Sequence, residues 1–275
     1  MINSKKSKQK QLNCALIQLN ATDDVFKNLE KAKDFVEKAI SKGARFILLP
    51  EVFTFRRQNS NINIPFDANI EKTLKPFLEL ALDYKVFILC GSVYEKSQST
   101  KGFNTSLLIN DQGKFSAKYQ KIHLFSFRDQ NKIIKESHDF KAGNMPCIAS
   151  IDNRKIGMSI CYDLRFPELY RLYQRLGVEI FTIPASFTKP TGEKHWQILC
   201  QARAIENQCF VLAPNQVGIG AGGIPSYGHS LAISPTGEVI AKGSFDQEEI
   251  VMATLNFEEL EKSRRQIPVK DDRKL

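Results

Sequence analysis

The sequence predicts one mixed α/β domain, with sheets inside and helices outside. Three observations predict it. Short apolar runs that stop at Pro or Gly alternate with longer amphipathic segments of helical period. Three pairs of apolar runs are joined by turn residues, which marks hairpins and a partly antiparallel sheet. No stretch rich in Gly, Pro and Ser divides the 275 residues, and no repeat recurs at a solenoid period.

Residues 1–10 carry Lys5, Lys6, Lys8 and Lys10 and read as a basic, frayed lead-in, with the domain running over 11–275. Residues 12–18 form the first strand. Asp23 or Asp24 can cap the helix that follows. Over 28–42, Leu29, Ala32, Phe35, Val36 and Ala39 share one helical face, and Gly43 ends it. Residues 45–50 are a buried strand closed by Pro50, with Glu51 at its C-terminal end. A polar loop over 56–69 leads to a helix over 70–84 and a buried strand over 86–94. The first hairpin pairs 103–109 with 114–121 across Asn110-Asp111-Gln112-Gly113, and Lys121 stands at its end.

Residues 125–144 have weak periodicity and read as a long loop. The second hairpin joins 147–151 to 155–160 across Asp152-Asn153, and Cys161 follows it. Pro167 suits the first turn of a helix over 168–176, which Gly177 ends. Residues 179–184 are a strand, 194–207 a helix with the single Trp196, and 209–214 a strand. The four glycines of 218–225 mark a mobile loop that does not fit a nucleotide-binding GxGxxG opening a helix. The third hairpin pairs 230–234 with 239–241. A strand over 250–255 and a helix over 257–266 precede a charged tail.

Composition removes several function classes. Apolar residues are 42% and charged residues 25%, ordinary for a globular chain, and no apolar run approaches the ~20 residues that span a bilayer. The basic lead-in lacks the apolar segment of a signal peptide, which points to the cytoplasm and to no membrane. The net charge of +9 favours anionic partners, but no nucleic-acid-binding motif accompanies it, so nucleic acid is not expected as a partner. Six scattered cysteines form no CxxC pair, and four histidines show no HxH or HxxxH spacing. A disulfide framework and a metal site are therefore not expected.

Glu51, Lys121 and Cys161 share one placement: each lies at or just past the C-terminal end of an apolar strand, where ligand sites of α/β sheets collect. A thiol of ordinary pKa needs a base or a nearby cation to become a nucleophile. Glu51 suits the base and Lys121 the oxyanion partner, helped by a backbone N–H after Cys161. The same residues also fit a plainer account, in which Glu51 and Lys121 form a structural ion pair and Cys161 is a buried core thiol.

Three motifs bear on that choice. Leu48-Leu49-Pro50-Glu51-Val52-Phe53, Lys118-Tyr119-Gln120-Lys121-Ile122-His123-Leu124-Phe125 and Gly157-Met158-Ser159-Ile160-Cys161-Tyr162-Asp163-Leu164-Arg165-Phe166-Pro167-Glu168 resemble the glutamate, lysine and cysteine motifs of the nitrilase superfamily of carbon–nitrogen hydrolases. The resemblance runs from about residue 12 to the end. It implies an αββα sandwich, commonly paired into a homodimer or higher homo-oligomer. It also implies no cofactor, with Glu51 as base, Lys121 as oxyanion stabiliser and Cys161 as nucleophile. Glu136, in Lys135-Glu136-Ser137, matches a second glutamate that the family often carries after the lysine. Residues 186–196, 202–209 and 226–230 resemble the deaminated glutathione amidase branch, and Arg265-Gln266-Ile267-Pro268-Val269 is shared with the ω-amidase branch. Both branches usually place an aspartate where this chain has Ser126, and a glycine within 127–134 that this chain lacks.

The expected activity is that of a cytoplasmic thiol amidase. It would cleave a small ω-amide of an α-keto acid to carboxylate and ammonia through a thioester, with deaminated glutathione first and 2-oxoglutaramate second. A nitrilase, an N-carbamoyl-amino-acid hydrolase and a non-catalytic binding protein on the same scaffold are the rivals. A carboxylate distal to the amide would call for an arginine, with Arg165, Arg128 and Arg203 as candidates. Phe187 and Thr188 follow a strand end and would line the acyl pocket beside Tyr162.

Overall fold

The computed structural model describes residues 10–59, 61–129, 132–220 and 223–274. Most of the basic lead-in therefore lies outside the described residues, as do 221 and 222 of the glycine-rich loop. Strands β1 (Gln11–Gln18), β2 (Phe46–Leu48), β3 (Phe87–Glu95), β4 (Phe103–Ile109), β5 (Phe115–Gln120) and β14 (Glu249–Asn256) make one sheet in the order β14-β1-β2-β3-β4-β5. Strands β8 (Cys147–Ile151), β9 (Arg154–Met158), β10 (Ile180–Thr182), β11 (Phe210–Ala213), β12 (Leu231–Ile233) and β13 (Val239–Lys242) make the other, in the order β13-β12-β11-β10-β9-β8. Each sheet has three parallel strands inside antiparallel flanks: β1-β2-β3 in one and β9-β10-β11 in the other.

Period-two alternation sorts the side chains into layers. Along the first sheet, Cys14, Leu16, Phe46, Leu48, Phe87 and Leu89 join the core shared with Ile156, Met158 and Ile180 of the second sheet. The intervening Ala15, Ile17, Ile47 and Ile88 join a separate core with Ala32, Val36 and Ala39 of α1 (Val25–Ser41) and Phe77, Leu80 and Ala81 of α3 (Lys75–Tyr84). Against the far face of the second sheet lie α4 (Pro167–Arg175) and α5 (Lys189–Asn207), where Tyr170 meets Phe181 edge-on at 5.1 Å. Helix, sheet, sheet and helix are thus stacked as the αββα sandwich expected. Each fully buried Leu, Ile or Phe contributes about 1.5–3 kcal/mol to that stack. The chain ends with α6 (Phe257–Gln266) and α7 (Val269–Asp272).

Local chemistry explains where element bounds differ from expectation. The side chain of Asp24 accepts from Lys27 N–H, so α1 begins at Val25 instead of residue 28. The helix expected over 70–84 breaks at Leu74 into α2 (Ile70–Thr73) and α3, because Pro76 has no N–H to continue the ladder. Pro190 suits the first turn of α5, which starts five residues before 194. The region 125–144 is not simply a loop. It holds the hairpin β6 (Ser126–Asp129) and β7 (Lys132–Lys135), then a short 3-10 turn at Glu136–His138.

Candidate active site

Glu51 follows β2 where Pro50 stops the strand. Val52 turns the chain with a φ of 55° and donates its N–H to Ser92 Oγ at 2.9 Å. The turn leans on β3 at Gly91, where a Cβ would lie 2.1 Å from the carbonyl oxygens of Leu49 and Pro50. Only glycine lets the two backbones approach that closely. The carboxylate so placed is 4% exposed. Its Oε1 accepts from Lys121 Nζ at 2.9 Å and Asn104 Nδ2 at 3.0 Å, and its Oε2 accepts from Ser186 N–H at 2.8 Å.

Lys121 leaves the end of β5 with its N–H on Asn104 O. Its ammonium also meets Glu136 Oε1 at 3.1 Å and Oε2 at 2.9 Å. Glu136 is fixed in turn by Phe125 N–H at 2.6 Å and Asn104 Nδ2 at 3.1 Å. Burial opposes the charge on Lys121, but the carboxylates of Glu136 and Glu51 outweigh it and hold its pKa well above the usual lysine range. The ammonium is therefore a permanent cation among two carboxylates.

Cys161 opens a 3-10 turn (Cys161–Arg165) just past β9 and adopts a left-handed φ of 45°. The tight turn is fixed by Cys161 N–H donating to Pro184 O at 2.9 Å. It is also fixed by Asp163, which is fully buried. Asp163 Oδ2 accepts from Ile160 N–H at 2.8 Å and Tyr119 O–H at 2.7 Å. Asp163 Oδ1 accepts from His123 N–H at 3.0 Å and lies 2.7 Å from His123 Nδ1. Tyr119 and His123 flank Lys121 by two residues on either side. One carboxylate thus ties the lysine segment to the cysteine turn and sets their relative position. Burial and then the charge of Glu51 push the Cys161 thiol well above the usual range, while Lys121 pulls it down. At rest the sulfur keeps its proton, facing a carboxylate able to take it.

These groups open on a cavity of about 210 Å³. Glu51, Lys121, Glu136, Cys161, Tyr162, Arg165, Phe187 and Thr188 all line it, so the structure brings together every site residue expected from sequence except Arg128 and Arg203. Arg128 is exposed on β6 and does not line the cavity, because the hairpin directs it to solvent. Arg203 is also absent from the lining. It is buried with Nε and Nη2 on Leu164 O and Nη1 on Glu206, which makes it a brace for the cysteine turn. Arg165 lies over the rings of Tyr162 and Phe187, with no carboxylate beside it among the described residues. Asn104, Ser186 and Asp163 were not singled out by sequence reasoning. Asn104 and Ser186 sit inside or beside apolar strands, and their roles depend on contacts more than 30 residues away.

Comparison with known proteins decides the family. The family model described as carbon-nitrogen hydrolase matches residues 13–265. The chain belongs to the carbon–nitrogen hydrolase family. A deaminated glutathione amidase of Dictyostelium discoideum is 34% identical, over 99% of this chain and 97% of that protein. A chloroplastic omega-amidase of Arabidopsis thaliana is 33% identical over 95% of this chain and 72% of that protein. The crystal structure of the Caenorhabditis elegans NitFhit protein superposes with a TM-score of 0.87 at 31% identity, covering 97% of this chain and 66% of that one. The carbon–nitrogen hydrolase fold and its hydrolytic chemistry therefore extend over nearly the whole chain.

Proposed function

We propose that this hydrolase is a thiol amidase whose nucleophile is Cys161. Glu51 takes the Sγ proton as the thiolate attacks the amide carbon. The oxyanion is held by Lys121 Nζ and the Tyr162 N–H. The proton passes to the leaving nitrogen, the C–N bond breaks and a thioester remains. Glu51 then deprotonates water, which attacks the thioester. The acid is released and the thiol recovers its proton. Glu136 positions Lys121 through two hydrogen bonds, at 3.1 and 2.9 Å. The observation that carries this reading is Glu51 Oε1 lying 2.9 Å from Lys121 Nζ, both buried and both facing the Cys161 thiol.

The favoured substrates are ω-amides of α-keto acids, with deaminated glutathione first and 2-oxoglutaramate second. The names of the similar amidases support this choice. The leaving group depends on the substrate: a primary amide such as 2-oxoglutaramate releases ammonia, whereas deaminated glutathione, a secondary amide, releases an amine. We place the enzyme in the cytoplasm, where its free thiols stay reduced, and assemble it as a homodimer through α4 and α5. Exposed Leu172, Leu176, Ile198 and Ile205 in that layer support the pairing. Product release from both substrates, measured with the parent enzyme and Cys161→Ala, tests the mechanism. The parent turns over at least one, and the variant loses all turnover. Full turnover by the variant contradicts it.

A further inference from the structure

Arg56 lines the same cavity, five residues after Glu51, and is 3% exposed. Its Nη1 donates to Val217 O at 2.7 Å and Gln216 Oε1 at 3.2 Å. Gln216 Nε2 in turn donates to Glu51 O at 2.9 Å, so the guanidinium is anchored to the backbone that carries Glu51. Its other two nitrogens, Nε and Nη2, are buried and have no hydrogen-bond partner among the described residues. They form one edge of the planar guanidinium, the side-on fork that fits the two oxygens of a carboxylate.

Among the described residues Arg56 has no ion-pair partner, whereas neighbouring Arg57 meets Asp139 at 3.0 Å and Lys121 meets Glu51 and Glu136. Burial lowers the Arg56 pKa to about 10, with a slight opposing effect from Tyr94, so the group remains a cation at neutral pH. A buried, half-satisfied guanidinium is costly unless something supplies the missing acceptors. Gly220 stands beside this edge: a Cβ there would lie 3.4 Å from Arg56 Nε and 3.5 Å from Nη2, so any side chain at 220 would press against both free donors.

We propose that Arg56 is the substrate-recognition residue for a carboxylate remote from the scissile amide, received on its Nε–Nη2 edge. The substrate class is then the monoamides of dicarboxylic or α-keto acids, and neutral amides are discriminated against. This rests on the amidase reading, in that the scissile amide sits at Cys161.

The test compares glutaramate with butyramide, a neutral amide of the same carbon count as the acyl chain up to the lost carboxylate-bearing carbon. The parent enzyme favours glutaramate in kcat/KM by roughly 100-fold, the scale of one bidentate charged contact. Arg56→Gln brings that preference below about tenfold, mainly through KM. Arg56→Lys keeps the charge without the fork and lies between. Gly220→Ala sets a methyl against the Nε–Nη2 edge while keeping the guanidinium, and it lowers the preference as well. Equal preference in the parent, or a preference that survives in both Arg56→Lys and Gly220→Ala, overturns the proposal.

Glutarate binding to the Cys161→Ala enzyme, followed by calorimetry, separates this inference from the amidase reading. Glutarate binding that Arg56→Lys weakens roughly tenfold or more supports the role of Arg56 even if neither amide turns over. Turnover of both amides with no glutarate binding supports the amidase and removes Arg56 from recognition.

Discussion

Two buried ion clusters among the described residues are built differently. Arg154 on β9 meets Glu179 at 2.8 Å, both less than one-tenth exposed, and the guanidinium packs 3.8 Å over the ring of Phe257. Among the described residues that ion pair joins one cation and one anion, placed against an aromatic face. The other cluster sets one cation, Lys121, between two carboxylates, Glu51 and Glu136, with the Cys161 thiol beside them. The balanced pair has no proton to move. The unbalanced cluster has a carboxylate, Glu51, placed to accept the Cys161 proton while Lys121 stays paired with Glu136. Burial of charge alone does not mark a candidate reacting site; an excess of one sign around a transferable proton does.

Substitutions that treat the two clusters alike should therefore separate them. Lys121→Met leaves two buried carboxylates without their cation. It is expected to lower kcat by about 10³-fold, on the scale of losing an oxyanion donor, and to cost about 3–5 kcal/mol of stability in denaturant melts. Arg154→Met is expected to cost a similar 3–5 kcal/mol, because Glu179 loses its charged partner, but kcat per folded enzyme stays within about twofold. A large kcat loss in Arg154→Met would erase the distinction. Asp163→Asn weakens the acceptor shared by Ile160, Tyr119 and His123. Steady-state kinetics should show a kcat about 10²-fold lower with a smaller change in KM, because the Lys121–Cys161 spacing is loosened.

The smallest expected effect is electrostatic. The Cys161 thiol is raised by burial and then by the negative charge of Glu51. Glu51→Gln removes the second push and leaves the pull of Lys121, so the pKa falls. Iodoacetamide alkylation followed against pH should show a lower midpoint in the variant. A midpoint that rises or stays fixed would mean that Glu51 does not face the sulfur.

Glu51, Lys121 and Cys161 were legible because each ends an apolar run, and strand ends converge on one rim of a parallel sheet. The layer order was legible for a similar reason: alternation along β1 and β2 assigns residues to two faces. Asn104 was hidden inside the apolar run of β4, where nothing local signals a polar contact with Glu51 and Glu136. Arg56 was hidden because a run of Arg56 and Arg57 reads as solvated loop charge. Its burial depends on Gln216 and Val217, some 160 residues further along. Arg128 was misplaced because the β6–β7 hairpin, with its weak period, was read as loop. Nothing in the spacing shows that pairing Arg128 with Ile133 leaves the arginine exposed. Local pattern carries the strand ends; it does not carry contacts made across the fold.

The claim that the unbalanced cluster powers acyl transfer through Cys161 can be tested most directly by trapping the thioester. The enzyme is mixed with 2-oxoglutaramate, quenched in acid within milliseconds and analysed by intact-mass and peptide mass spectrometry. The account expects an adduct equal to the acyl group on the peptide containing Cys161. It should accumulate when Glu51→Gln slows hydrolysis of the thioester more than its formation, and be absent in Cys161→Ala. Turnover in the parent enzyme with no adduct on Cys161 in either form, or an adduct on another residue, would contradict it.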